Sequence, residues 1–334
     1  MEKGELRILN RAGMGFLRTF MLGLAMVGGA AQIHSQEVVE LEVQTVTEGV
    51  APGGRLERIP DFPSQHVVAR EVWVWVPTGL PDTTRFGVLY MHDGGMLFQA
   101  GSTWNGQAWE LDEVVPELIR LGEVDPFIVV GVASIPARRH AEFFPAQPFA
   151  AMSADERAWV SDELNRAGRW VGGPFIPASD AYLAFLVEEL KPFIDAVYPT
   201  RTEAKYTRLA GSSMGGLISL YGLCTYPEVF GGAACLSTHW PGVFGMTGNP
   251  VPEAMRGYLA SQLHRLDDHR LYFDCGDGTL DAMYPPLQDA VDRTLEAESP
   301  AGLRWSSQRF PGADHSERSW NARLHVPLTF LWAP

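Results

Sequence analysis

Tyr206-Thr207-Arg208-Leu209-Ala210-Gly211-Ser212-Ser213-Met214-Gly215-Gly216-Leu217-Ile218-Ser219-Leu220 reads as a short strand, a tight turn and the first turns of an apolar helix, with Ser213 at the corner. Gly211 and Gly215 complete G-x-S-x-G around Ser213, whereas Ala210 denies Ser212 the same frame. So sharp a strand-to-helix turn needs neighbours without side chains, because two backbones crowd the serine from both sides. The helix that starts there turns its free N–H groups and positive dipole end toward any oxyanion formed at Ser213. A plain Gly/Ser-rich turn would share the composition but lack the strand before it and the apolar helix after it.

Working outward, strand patterns fall at Val38–Thr47, Val67–Val76, Phe86–His92, Pro126–Ala133, Gly231–Ser237, Arg270–Cys275 and Leu303–Phe310. Between them, helical periodicity runs from about Trp109 to Leu121, Ser179 to Val197 and Leu287 to Ala297, and a last helix begins near Ser316. Pro192 interrupts the second of these, so a kink or an early end is expected there. Strands alternating with helices predict an α/β fold, a mostly parallel sheet with helices on both faces, in one domain over residues 36–334. Residues 136–178 mix Pro, Gly, Arg and Trp with one short helix near Asp155–Asn165, and read as a loop-rich insertion over the C-terminal ends of the strands, where such sheets bind ligands.

The bulk properties restrict the partners. The chain has 334 residues, 46% of them hydrophobic, and a net charge of −14, which argues against nucleic acid or an anionic membrane. Lys3, Arg7, Arg11 and Arg18 precede the apolar run Phe20–Ala31, the pattern of a cleaved signal peptide over residues 1–35, with cleavage after Ala31 or Ser35. The run is short for a membrane span, so an exported, periplasmic or secreted protein is expected, with a retained anchor as the alternative. Cys224, Cys235 and Cys275 match no zinc spacing and read as buried core thiols, although export would permit one bridge. No metal or cofactor is implied.

A serine nucleophile needs a base to take its proton and a carboxylate to hold that base in one tautomer. With this kind of elbow the chain order is serine, acid, histidine. His315 follows the last strand in a Gly-containing loop and is the best base among the nine histidines. The acid comes from the loop Gly276-Asp277-Gly278-Thr279-Leu280-Asp281: Asp281 at the start of the next helical segment is favoured, and Asp277 is the alternative. The oxyanion donors are assigned to the backbone N–H groups of Gly95, in the turn after the third strand, and Met214. His92 and Asp93 precede the nucleophile and read as a buttress.

Several segments together resemble the Putative esterase family of α/β-hydrolases: Val88–Gly94, Trp109–Glu113, Arg138–Pro145, Glu188–Asp195 and Gly211–Gly216. The family includes feruloyl and acetylxylan esterases, enterochelin-type siderophore esterases, the esterase D type and the antigen 85 mycolyltransferases. The resemblance implies the α/β-hydrolase fold and a serine esterase working through an acyl-enzyme. The family's Gly-Thr-x-Asp pattern matches Gly278-Thr279-Leu280-Asp281 and supports Asp281, while the extra Asp277-Gly278 departs from the shorter loop expected. An acylated carbohydrate or small aryl or acyl ester is the first substrate reading, a siderophore ester the second. An acyltransferase on the same triad is a rival, and a non-catalytic binding protein would have no reason to keep this order of residues. Pocket candidates are Trp104, Trp109, Arg138, Glu142, His239 and Trp240, with Phe143, Phe144 and Trp170 as further aromatics and Arg139 as a further cation. Either arginine would hold an anionic group or pair with Glu142.

Overall fold

The computed structural model describes residues 8–9, 17–23 and 38–334, with side chains from residue 41 onward. Its strands are β1 (Ile8–Leu9), β2 (Leu17–Gly23), β3 (Val38–Val46), β4 (Gly54–Phe62), β5 (Arg70–Pro77), β6 (Gly87–His92), β7 (Phe127–Val132), β8 (Thr207–Ser212), β9 (Gly232–Leu236), β10 (Arg270–Cys275) and β11 (Arg304–Arg309). They form one sheet in the order β1-β2-β3-β4-β5-β7-β6-β8-β9-β10-β11. Strands β1 to β5 pair antiparallel, as does β5 with β7; from β7 to β11 every pairing is parallel. Apart from β1 and β2, the expected signal segment and its cleavage site lie outside the described residues. No helix among the described residues is long and apolar enough to cross a membrane.

The helices are α1 (Leu111–Leu121), α2 (Pro136–Phe143), α3 (Ala146–Ala151), α4 (Ala154–Arg166), α5 (Ser179–Ala184), α6 (Lys191–Val197), α7 (Met214–Thr225), α8 (Val251–Gln262), α9 (Pro285–Glu298), α10 (Glu317–Arg323) and α11 (His325–Trp332). They cover both sides of the parallel strands, and the period-2 alternation of buried side chains shows how. Val88, Tyr90, Ile128, Val130, Leu209 and Phe273 join a core with residues of α4 to α9. Their strand neighbours Leu89, Met91, Phe127, Val129, Ala210 and Tyr272 join a second core with residues of α1, α10 and α11.

Two expectations need correction. The stretch 136–178 is not loop-rich, since α2, α3 and α4 occupy most of it. Pro136 opens α2 at a position where its missing N–H costs nothing, and Ser153 caps α4 through a reciprocal capping box with Glu156. The helix through Pro192 neither stops nor breaks. A π turn over Phe185–Leu190 joins α5 to α6, a wider turn just ahead of the ring that cannot donate. Strand β4 and helix α8 were not anticipated. The three cysteines are all free and buried, and burial pushes the thiols of Cys224 and Cys275 up to about 12 each.

Candidate active site

Ser213 lies between β8 and α7 with φ 59° and ψ −122°, a backbone state that L residues hold only when their surroundings enforce it. The enforcement is visible. A Cβ on Gly211 would stand 2.8 Å from the carbonyl carbon of Gly215, and one on Gly216 would stand 2.8 Å from Thr238 Oγ1. The Ser213 N–H donates to the Leu236 carbonyl at 2.9 Å, and the Ser213 carbonyl accepts from Gly216 and His239. Met214 opens α7, so its N–H has no acceptor within the helix. Gly95 sits in a single 3-10 turn, Gly94–Met96, with open space where its side chain would be.

His315 and Asp281 come together in the loops after β11 and β10. The Nδ1 of His315 is 2.5 Å from Asp281 Oδ1, and Asp281 is fully buried. The other carboxylate oxygen accepts from the Gly276 N–H at 2.7 Å and from the Ser237 hydroxyl at 2.6 Å. The two loops are also stitched to each other. Ala313 accepts from the N–H groups of Asp277 and Gly278, Asp277 Oδ1 accepts from the Gly312 N–H at 2.7 Å, and Thr279 Oγ1 accepts from the His315 N–H at 2.9 Å. Asp277, the alternative acid, is exposed and spends its carboxylate on this stitching.

Residues that sequence reasoning did not single out complete the surroundings. The Trp320 ring stands edge-on to His315 at 4.9 Å and donates from Nε1 to the Ser237 hydroxyl at 2.9 Å. Arg323 donates to that hydroxyl and to buried Asp274, each at 3.0 Å. Tyr284, one turn after Asp281, brings its phenol near the Ser213 side chain and pairs with His239 Nδ1 at 2.8 Å. Burial and the Asp281 charge push that phenol well above its ordinary value, so it remains protonated. No local pattern marks these residues, which matter only through where the fold delivers them.

Of the six pocket candidates, His239 alone packs directly beside the serine. It is buried, its ring lies against Tyr284 and Phe244, and burial pulls its pKa down to about 3. Trp109 is buried and stacks on Trp320 at 5.2 Å, one ring removed from His315. Trp240 is core, with Nε1 donating to Gln288. Trp104 is 86% exposed, and Arg138 is exposed on α2. Glu142 is not a pocket residue: it is buried in a two-bond pair with Arg70, at 2.8 and 2.9 Å, and takes neither arginine of α2. Arg139 instead grips Asp93 through two bonds of 2.7 and 2.6 Å. Burial acts to raise the Asp93 pKa, but the Arg139 charge and hydrogen bonds outweigh it and leave the carboxyl below its ordinary value. Phe143 and Phe144 are core, and Trp170 packs on Phe175. His92 pairs with the Tyr182 hydroxyl at 2.8 Å rather than with Asp93. No cluster of side chains suited to a metal ion occurs among the described residues.

The architecture has solved relatives. An IroE-like serine hydrolase from Shewanella oneidensis superposes with a TM-score of 0.60 at 16% identity, covering 83% of this chain and 79% of its own. The enterobactin esterase of Shigella flexneri gives 0.57 at 18%, over 85% of this chain and 61% of its own. A ferulic acid esterase from Anaeromyces mucronatus gives 0.55 at 19%, over 86% and 92%. At these identities the likeness establishes the shared fold. The uncharacterized protein YjcH of Bacillus subtilis is 25% identical over 47% of this chain, and the chain spans about half the length of that relative. Residues 68–331 match the family model described as Putative esterase, and the chain belongs to that esterase family.

Proposed function

We propose that this chain is an exported serine carboxylic-ester hydrolase in which Ser213, His315 and Asp281 form the catalytic triad. The observation that carries the reading is the 2.5 Å contact between His315 Nδ1 and buried Asp281, together with a serine held at positive φ at the β8–α7 turn. With Nδ1–H committed to Asp281, His315 Nε2 is left as the acceptor for the Ser213 proton. Ser213 Oγ attacks the ester carbonyl, and the N–H groups of Gly95 and Met214 receive the oxyanion. The proton on His315 passes to the leaving alcohol. Water then repeats the sequence against the acyl-enzyme and restores Ser213.

The substrate reading is an acylated carbohydrate or a small aryl or acyl ester. Phe244, 44% exposed and 5.6 Å from the His239 ring, offers an apolar face near the serine. A siderophore ester is the second reading, supported by likeness to the enterobactin esterase. The test is Ser213→Ala, assayed on p-nitrophenyl esters, acetylated xylan, a feruloyl ester and a ferric trilactone, with and without a sugar acceptor. The expected result is loss of at least about 10³-fold in kcat and of fluorophosphonate labelling. Activity retained at the parent level would overturn the assignment, and acyl transfer to the sugar in preference to water would make the enzyme a transferase.

A further inference from the structure

The N-terminal ends of the parallel strands, opposite the ends that carry Ser213, border a cavity of about 300 Å³ lined by Lys205, Arg208, Arg270 and Arg304 together with Asp125 and Asp268. None of the four cations makes an ion pair among the described residues. Arg270 is engaged with backbone carbonyls at the end of α11, and Lys205 lies over the Tyr206 ring. Arg304 is exposed.

Arg208 is the unusual member. It is only 6% exposed, its guanidinium lies over the Trp332 ring at 5.5 Å, and its buried Nε and Nη1 have no hydrogen-bond partner. Room for it is built into the start of β9. A Cβ on Gly231 would meet Arg208 Nη1 at 2.5 Å, and one on Gly232 would meet Arg208 Cδ at 3.1 Å. Burial, then the neighbouring Arg270 charge, lower its pKa to about 10, so it is still charged at neutral pH. A buried, unpaired guanidinium beside a second cation is costly unless an anion completes it.

We propose that this cavity binds an oxoanion of the phosphate class, free or carried as a monoester. The guanidinium of Arg208 supplies charge and N–H donors at the cavity wall, with exposed Arg304 and Lys205 supplying charge at the mouth. The site is distinct from the ester-cleaving constellation and does not depend on the reading given to it.

The test is calorimetric titration of the full chain with inorganic phosphate and, separately, glycerol phosphate, in chloride buffer of matched ionic strength. Saturable binding with a Kd of about 1 mM or tighter is expected. It should weaken about tenfold or more in Arg304→Gln, an exposed change that leaves the fold alone, and vanish in Arg208→Met, with ester hydrolysis unchanged in both. Tighter binding of the monoester identifies a carried phosphate, and equal or weaker binding identifies the free ion; both support the site. No saturable binding of either anion, or binding undiminished in both variants, overturns it.

Discussion

The two ends of the parallel strands treat charge in opposite ways. At the C-terminal ends, around Ser213, charged groups face opposite charges or donors: Asp281 with three donors, Asp93 with Arg139, Glu142 with Arg70, and Asp274 with Arg323, whose Nε alone in these sets lacks a partner. The histidines that share this region, His92, His140 and His239, are instead held neutral by burial. At the N-terminal ends, Arg208 is buried with two nitrogens unpaired and other cations beside it. In the first region each of these charged groups has charged or hydrogen-bonding partners within the chain. The second lacks them, which is what a site completed from outside would look like.

The contrast can be broken from the satisfied side first. Asp281→Asn should leave the loops in place but lose control of the His315 tautomer, lowering kcat by about 10³- to 10⁴-fold. Asp277→Asn should change kcat by less than about threefold, because that carboxylate only braces the loop. Steady-state kinetics on one ester separates the two. A large loss in Asp277→Asn, with Asp281→Asn near the parent, would make Asp277 the acid.

Acid tests the neutral histidines. Their folded pKa values, about 3 for His92 and His239 and about 4 for His140, lie below the unfolded value near 6.5. The unfolded chain therefore binds more protons below pH 6.5. Stability is complete above that pH and falls as pH drops toward the folded values, each histidine contributing at most about 1.4 kcal/mol per pH unit. Urea midpoints at about pH 7.5 and about pH 5 should differ clearly, and His140→Gln should shrink the difference.

The smallest effect is expected at the unsatisfied end. Arg208→Met in phosphate-free buffer removes an unpaired buried charge and keeps the apolar stem, so stability should stay within about 1 kcal/mol of the parent or rise. Thermal unfolding measures it. A loss of several kcal/mol would mean that Arg208 already has what it needs, and the contrast between the two ends would disappear.

What the sequence disclosed follows the same division between local and distant causes. The order of Ser213, Asp281 and His315, and the alternation of strands and helices, are written in short windows of residues. Strand β4 was hidden because Pro60 lies within it and buried Glu57 looks out of place. The structure accommodates the proline at a register shift between Ile59 and Phe62, and Tyr198 and Arg55 satisfy the carboxylate. Glu142 looked like a ligand contact because its partner, Arg70, lies far away on β5. Trp109 looked like a pocket wall because its stacking partner, Trp320, comes near the end of the chain. Tyr284 and Ser237 carried no signal at all, since a tyrosine after a loop and a serine after a strand are ordinary until the fold sets them beside Ser213 and Asp281.

The stitching between the loops after β10 and β11 has an evolutionary consequence. Because Ala313, Asp277, Gly312 and Thr279 bind those loops to each other, the proposed acid–base pair is held as a prefabricated part, seated on the frame as one piece. Among the described residues, segments elsewhere, such as 146–178 and 243–262, make no hydrogen bond to these two loops, so changes there would leave the separation between acid and base undisturbed. New specificities within this family would then arise by remodelling those segments, while the loops of Asp281 and His315 are inherited together.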